Sequence, residues 1–79
     1  MNSATASTLQ EIFRIVFELP DGADVTHIRQ GTTDRWDSLA HIAIVTGVES
    51  EFGITLDTAD QLEITSYDAM QAILERRGL

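Results

Sequence analysis

The sequence predicts an all-α fold: a small bundle of three main helices plus one short helix, with a long loop between helices one and two. Three observations carry this. Apolar residues recur at three- and four-residue spacing in three separate segments. Those segments are bounded by Ser, Thr, Asp, Gly or Pro at positions that start and stop helices. No pair of alternating apolar runs suggests a hairpin; Ile54-Thr55-Leu56 alternates but has no partner strand, so it reads as extended loop.

The first helix is expected to begin near Ser7 or Thr8, because Ser7-x-x-Gln10 and Thr8-x-x-Glu11 both read as capping boxes. Leu9, Ile12, Phe13 and Val16 then follow at helical spacing, and residues 1–6 are expected to form a flexible tail. Pro20, Asp21 and Gly22 end the helix and begin a turn. Residues 20 to 36 make a long connection rich in turn formers, with Val25 and Ile28 as its expected anchors in the core. The second helix runs from about Asp37 to Phe52. Ile44, Val48 and Phe52 form one apolar stripe, and Leu39, Ile42 and Val45 add a second line. A surface helix needs only one buried stripe, so some of these side chains are free to face a partner. Gly47 inside the helix is unfavourable by about 1 kcal/mol relative to Ala, which close packing would explain. Gly53 is the expected C-terminal stop. A short helical segment spans Thr58 to Leu62. The last helix starts at Ser66, turns Tyr67, Met70, Ile73 and Leu74 inward, and ends with Arg76, Arg77 and a Gly78 cap.

Seventy-nine residues make a single domain, 1–79, with a small core and modest expected stability. There is no cysteine, so neither a disulfide nor a thiolate nucleophile is available. The polar start, Met1 to Ser7, does not read as a secretory signal, and no apolar run is long enough to span a bilayer. A cytoplasmic monomer without membrane insertion is the expectation. Thirteen acidic residues face five basic ones, all arginine, for a net charge of −8. Between Arg35 and Arg76 there is no basic residue, while eight carboxylates from Asp37 to Glu75 fill the interval. Such a field repels nucleic acid and anionic lipid and attracts basic protein surfaces.

Within this frame Trp36-Asp37-Ser38-Leu39 is the informative stretch. It sets a hydroxyl at the start of a helix, directly after a carboxylate. A helix N-terminus offers unpaired N–H groups and a positive dipole end, which favour an attached phosphate. Equally, Asp37 or Ser38 would serve simply as a cap, since both residue types are preferred there. His41 lies three residues after Ser38 on the same face, where it could hydrogen-bond a phosphate or tune docking with pH; with no orienting partner in view the favoured reading is an exposed helix residue without special duty. His27 is a loop residue. No metal-ligand spacing, glycine-rich nucleotide fingerprint or nucleophile–base–orienter set is present, so an enzyme is not expected.

In Asp37-Ser38-Leu39, in the hydrophobic helix after it, in Glu49-Ser50-Glu51-Phe52-Gly53-Ile54, in the acidic linker and in Glu63-Ile64-Thr65-Ser66 opening the last helix, the chain resembles an acyl carrier protein. The resemblance covers Leu9 to Leu74 and includes the helix–long loop–helix–short helix–helix layout. It implies that Ser38 receives a 4′-phosphopantetheine arm from coenzyme A through a phosphopantetheinyl transferase, with Asp37 assisting loading. The arm's thiol would hold an acyl or aminoacyl group as a thioester. Acyl-transferring or acyl-activating enzymes with basic docking surfaces would then be the partners, in a fatty-acid, polyketide or specialised lipid pathway. Two departures favour a specialised stand-alone carrier. Gly31-Thr32-Thr33-Asp34-Arg35-Trp36 stands where the family often carries Phe and Leu anchors and an Asp-Leu-Gly lead-in, and Ala40, His41, Ala43, Thr46 and Gly47 stand where fatty-acid carriers usually show more acids; peptidyl carriers rank lower because their Gly-Gly lead-in is missing. Leu39, Ile42 and Thr46 follow the helix repeat from Ser38 on a side distinct from the Ile44–Val48–Phe52 stripe. With Glu49 and Glu63 they are the expected docking surface. The competing class is an unmodified acidic helical module that docks on a basic partner.

Overall fold

Four helices follow one another in the computed structural model, which describes residues 1–79: α1 (Ser3–Val16), α2 (Ser38–Phe52), α3 (Thr58–Glu63) and α4 (Tyr67–Arg76). There are no strands, and the expected all-α bundle of three main helices and one short one is the observed architecture. α1 packs on α2 and α4, and α3 rests on α4. None of the helices is long and apolar enough to cross a membrane.

All four helices begin the same way. A short polar side chain in extended backbone accepts a hydrogen bond from the N–H three residues on: Asn2 from Thr5, Asp37 from Ala40, Asp57 from Asp60 and Ser66 from Ala69, at 2.8 to 3.0 Å. Each removes one orphan donor from a first turn, a contribution of about 0.5–2 kcal/mol. Asn2 corrects the expected start of the first helix. Ser7 and Thr8 lie inside α1, and residues 3–6, expected in a flexible tail, form its first turn. Thr5 is buried there, and the Asn2 cap outcompetes the two capping boxes further along.

The end of α1 also differs from expectation. It closes at Val16, before Pro20 can act, through Glu18 at φ 56°. Glu18 N–H donates to the Ile15 carbonyl and Leu19 N–H to the Arg14 carbonyl. This is a Schellman closure with a non-glycine residue in the left-handed position. α2 stops at Gly53 (φ 63°), as its sequence predicts, and Gly78 (φ 81°) closes the chain after α4.

The core is one apolar cluster. Leu9 and Phe13 of α1, Ile44 and Val48 of α2, Ile64, and Met70 and Leu74 of α4 are fully buried. Burying each such side chain contributes about 1.5–3 kcal/mol. The inward face of α4 is the expected one: Tyr67, Met70, Ile73 and Leu74. The two apolar lines of α2 part company. Ile44, Val45 and Val48 are buried and Phe52 is half-buried, while Leu39 and Ile42 face outward. Gly47 is explained by close approach: a Cβ there would stand 3.2 Å from Ile12 Cγ2 of α1.

The long connection between α1 and α2 is tied down along its length. Val25 and Ile28 are buried, as expected of them. Arg14 Nε donates to the Ala23 carbonyl at 2.8 Å. Gln30 N–H donates to the Thr65 carbonyl and Tyr67 N–H to the Ile28 carbonyl, a two-bond antiparallel bridge that ties the loop to the start of α4. Its last anchor is Trp36. The indole is buried and packs edge-on to Phe13 (5.9 Å between centroids) and tilted against Phe17 (5.5 Å). No buried side-chain polar atom lacks a partner.

Candidate functional site

The site is assembled by the junction between the long loop and α2. Trp36 fixes the loop in the core, Asp37 caps the helix, and Ser38 is its first residue. Because Trp36 cannot leave the aromatic cluster without exposing its ring, the position of Ser38 is set by core packing. Ser38 itself is exposed.

Asp37 Oδ1 accepts from Ala40 N–H at 2.8 Å, and the Asp37 carbonyl accepts from His41 N–H. Capping therefore falls to Asp37, which leaves the Ser38 hydroxyl unengaged by the fold. The N–H groups of Ser38 and Leu39 have no acceptor in the chain, so they face the space around that hydroxyl as donors. A phosphate attached to Ser38 Oγ would meet these donors and the positive end of a fifteen-residue helix. The residues present fit such a group.

Beside Ser38 lies a surface cleft of about 480 Å³. It is lined by Trp36, Asp37 and Ser38 at the loop–helix junction, His41 and Ile42 of α2, Gln61 and Leu62 of α3, and Gln30 of the long loop. The lining mixes amide, imidazole and apolar groups. Of its apolar lining, Ile42 (60% exposed) and Leu62 (76%) stand out into solvent, and Leu39 (77%), next to Ser38 in the chain, is exposed outside the cleft. Leu39, Ile42 and the exposed Thr46 thus share the outer side of α2, as the helix repeat predicts. Leu62 joins them from α3 and was not singled out from the sequence.

The two acids expected beside that surface are each engaged. Glu49 is half-buried, and its Oε2 accepts from Leu56 N–H at 2.8 Å, closing the link between α2 and α3. Glu63 pairs with Arg76 at 2.9 Å and remains exposed. Along with it, Asp60 pairs with Arg77 at 2.6 Å, so α4 holds α3 by two ion pairs. The Arg77 guanidinium, by hydrogen bond first and charge second, holds the Asp60 carboxyl below the usual carboxylate range. Asp24 is lowered too, by the Thr26 hydroxyl and then the Thr26 N–H, in a turn of the long loop.

His41 departs most from its sequence reading. It is half-buried and bonded at both ring nitrogens. Trp36 Nε1–H donates to its Nδ1 at 3.2 Å, and its Nε2 lies 2.9 Å from the Gln61 carbonyl. The signal was present in the sequence. Trp36 occupies the position before the cap and His41 the fourth helical position, the two places a hydrophobic staple joins. Here the staple is an indole–imidazole pair with ring centroids 6.2 Å apart. No grouping of His, Cys, Asp and Glu has the proximity to hold a metal ion. Compared with protein-family models, curated proteins and solved structures, the chain returns no match.

Proposed function

We propose that the protein is a phosphopantetheine-dependent carrier: Ser38 takes the arm, and the chain presents the arm's cargo to partner enzymes without catalysing the transfer. One observation carries this reading above the others. The serine at the head of α2 is exposed and free of any capping duty, because Asp37 performs it. A serine kept merely for the helix would sit where Asp37 sits. Once attached, the arm supplies a thiol on which an acyl group is held as a thioester, a group this cysteine-free chain lacks.

The surroundings of Ser38 support a carrier over an enzyme. Its only nearby imidazole, His41, has its Nδ1 lone pair committed to the Trp36 N–H and its Nε2 to a carbonyl. It is therefore not disposed to take the hydroxyl proton, and activation falls to the transferase. The free N–H groups of Ser38 and Leu39 orient and stabilise the attached phosphate. Leu39, Ile42 and Leu62 supply contact area for partners. Of the acids, Asp57 and the free oxygen of Asp37 face solvent and speed encounter with a basic surface, while the exposed Glu63 is partly offset by its pair with Arg76. Glu49 contributes to the field but is occupied structurally.

The test is incubation with coenzyme A, magnesium and a broad-specificity phosphopantetheinyl transferase, followed by intact mass. The reading predicts one added arm on the native chain and none on Ser38→Ala. A folded native chain that stays unmodified would leave the unmodified docking module as the better account.

A further inference from the structure

Most of the hydrogen-bonding capacity around the Ser38 cleft is spent within the fold. Trp36 Nε1–H goes to His41 Nδ1, and His41 Nε2 lies 2.9 Å from the Gln61 carbonyl. Gln61 Nε2 donates to the Leu56 carbonyl at 2.9 Å. A carbonyl only accepts, so the amide nitrogen of Gln61 faces it and the amide oxygen is the atom left over. That Oε1 has no donor in the chain, and because no buried side-chain polar atom lacks a partner it is open to solvent. The exposed side-chain amide of Gln30 is free at both its nitrogen and its oxygen.

Away from Asp37 and Ser38 the cleft therefore presents free amide groups from Gln30 and Gln61 beside the exposed apolar side chains of Ile42 and Leu62. No arginine or lysine lines it, so it does not suit a ligand with a carboxylate or phosphate at that end. Both amides stand on fixed backbone. Gln30 N–H donates to the Thr65 carbonyl at 2.8 Å, in the bridge that ties the loop to α4. Gln61 is half-buried on α3 and held through its bond to Leu56. The Gln30 amide and Gln61 Oε1 satisfy nothing in the fold, unlike Gln10, which bonds Tyr67 and Arg14, and Gln71, which bonds Glu75.

A pantetheine arm has the matching pattern: secondary amides separated by short hydrocarbon segments. We propose that Gln30 and Gln61 are positioning residues that hold the arm in this cleft by its amide groups. On the carrier reading, on which this role rests, Gln61 Oε1 accepts from an N–H of the arm, the Gln30 amide pairs with an amide of the arm, and Ile42 and Leu62 cover its hydrocarbon. The arm is thereby kept along the cleft between α2 and α3 instead of trailing in solvent.

The four glutamines, Gln10, Gln30, Gln61 and Gln71, supply their own controls. Their side-chain amide resonances are followed by NMR in the unloaded chain and in the chain carrying the arm without cargo. Gln30 and Gln61 should shift, and Gln10 and Gln71 should not. Gln30→Ala removes an exposed side chain with no bond in the fold, so the urea midpoint should hold. The ratio of docked to free arm, read from the Gln61 shift, should fall about five-fold, the size of one neutral hydrogen bond. A loaded chain whose Gln30 and Gln61 resonances stay put, or a Gln61 shift unchanged by Gln30→Ala, overturns the proposal and leaves the carrier reading intact. A second experiment needs no transferase. The chain lacks cysteine, so Ser38→Cys has a single thiol. Alkylation with iodoacetyl-β-alanine methylamide, in which the sulfur displaces iodide, attaches a tether with amides spaced as in the arm. Gln30 and Gln61 should shift with this tether and not with a butyl group attached in the same way; equal shifts with both overturn the amide role. A native chain that refuses the arm ends the carrier reading, while the tethered variant still decides whether the cleft holds amides, so the two ideas fall separately.

Discussion

Asp37 caps α2, which leaves the neighbouring Ser38 hydroxyl without a bond in the fold. Asn keeps the capping acceptor of Asp37 and loses its charge, so Asp37→Asn should shift the urea midpoint little, by less than the roughly 0.5–2 kcal/mol of a lost cap. On the carrier reading its loading by the transferase should slow clearly, and unchanged loading would reduce Asp37 to a cap. Ile42 and Ile44 make a sharper pair, two residues apart on one helix. Ile42 is exposed and Ile44 fully buried. Ile42→Asp should leave the circular-dichroism spectrum intact and weaken loading or partner transfer, whereas Ile44→Asp buries a lone charge and should unfold the domain. A collapsed spectrum for Ile42→Asp would remove that residue from the docking surface. The helix repeat measured from Ser38 made the outward side of Leu39, Ile42 and Thr46 legible in the sequence. The Trp36–His41 pair had a local signal, the staple positions before the cap and at the fourth helical residue, but the third member of the arrangement, Gln61, lies twenty residues from His41. Long-range partners of that kind leave no local spacing to read.

Among the elements, α1 and α2 are joined by close contact at Gly47. Introducing the larger Val there drives methyl groups into Ile12 and should destabilise the fold by about 1–3 kcal/mol, read as a lowered urea midpoint. A midpoint equal to the native one would mean that the two helices part easily. α2 and α4 were legible to within a residue because their caps, Asp37 and Ser66, and their stops, Gly53 and Gly78, are residue types with strong terminal preferences. α1 was not. Asn2 is also a good cap, but Ser7 and Thr8 gave capping boxes nearer the apolar run, and burial of Thr5 decided for the longer helix. At its other end the left-handed residue is Glu18, and no glycine marks the stop. The ion pairs between α3 and α4 add a pH dependence. The Asp60 carboxyl is lowered by Arg77, so its contribution is fully present above the unfolded aspartate value of about 3.9 and is lost as pH falls through the lower folded value. Asp60→Asn should therefore lose less of its stability than the native chain between about pH 6 and about pH 2. Equal losses would show that Arg77 does not favour the ionised Asp60 in the fold.

For the molecule as a whole, the carrier reading assigns the acidic field and the exposed apolar side chains around Ser38 to different steps of one encounter. On that reading charge would draw a basic partner in over a distance set by salt, and the exposed Leu39, Ile42 and Leu62 would provide contact once it arrives. The bundle behind them holds the junction of loop and helix still: Trp36 is clamped by Phe13 and Phe17, and the loop is bridged to α4. On the carrier reading all of this serves the exposed Ser38 hydroxyl. The most direct measurement is the intact mass of the native chain and of Ser38→Ala after the same treatment with coenzyme A and a phosphopantetheinyl transferase. The account predicts one arm on the native chain and none on the variant; an arm that appears on both, or on neither while both remain folded, contradicts it.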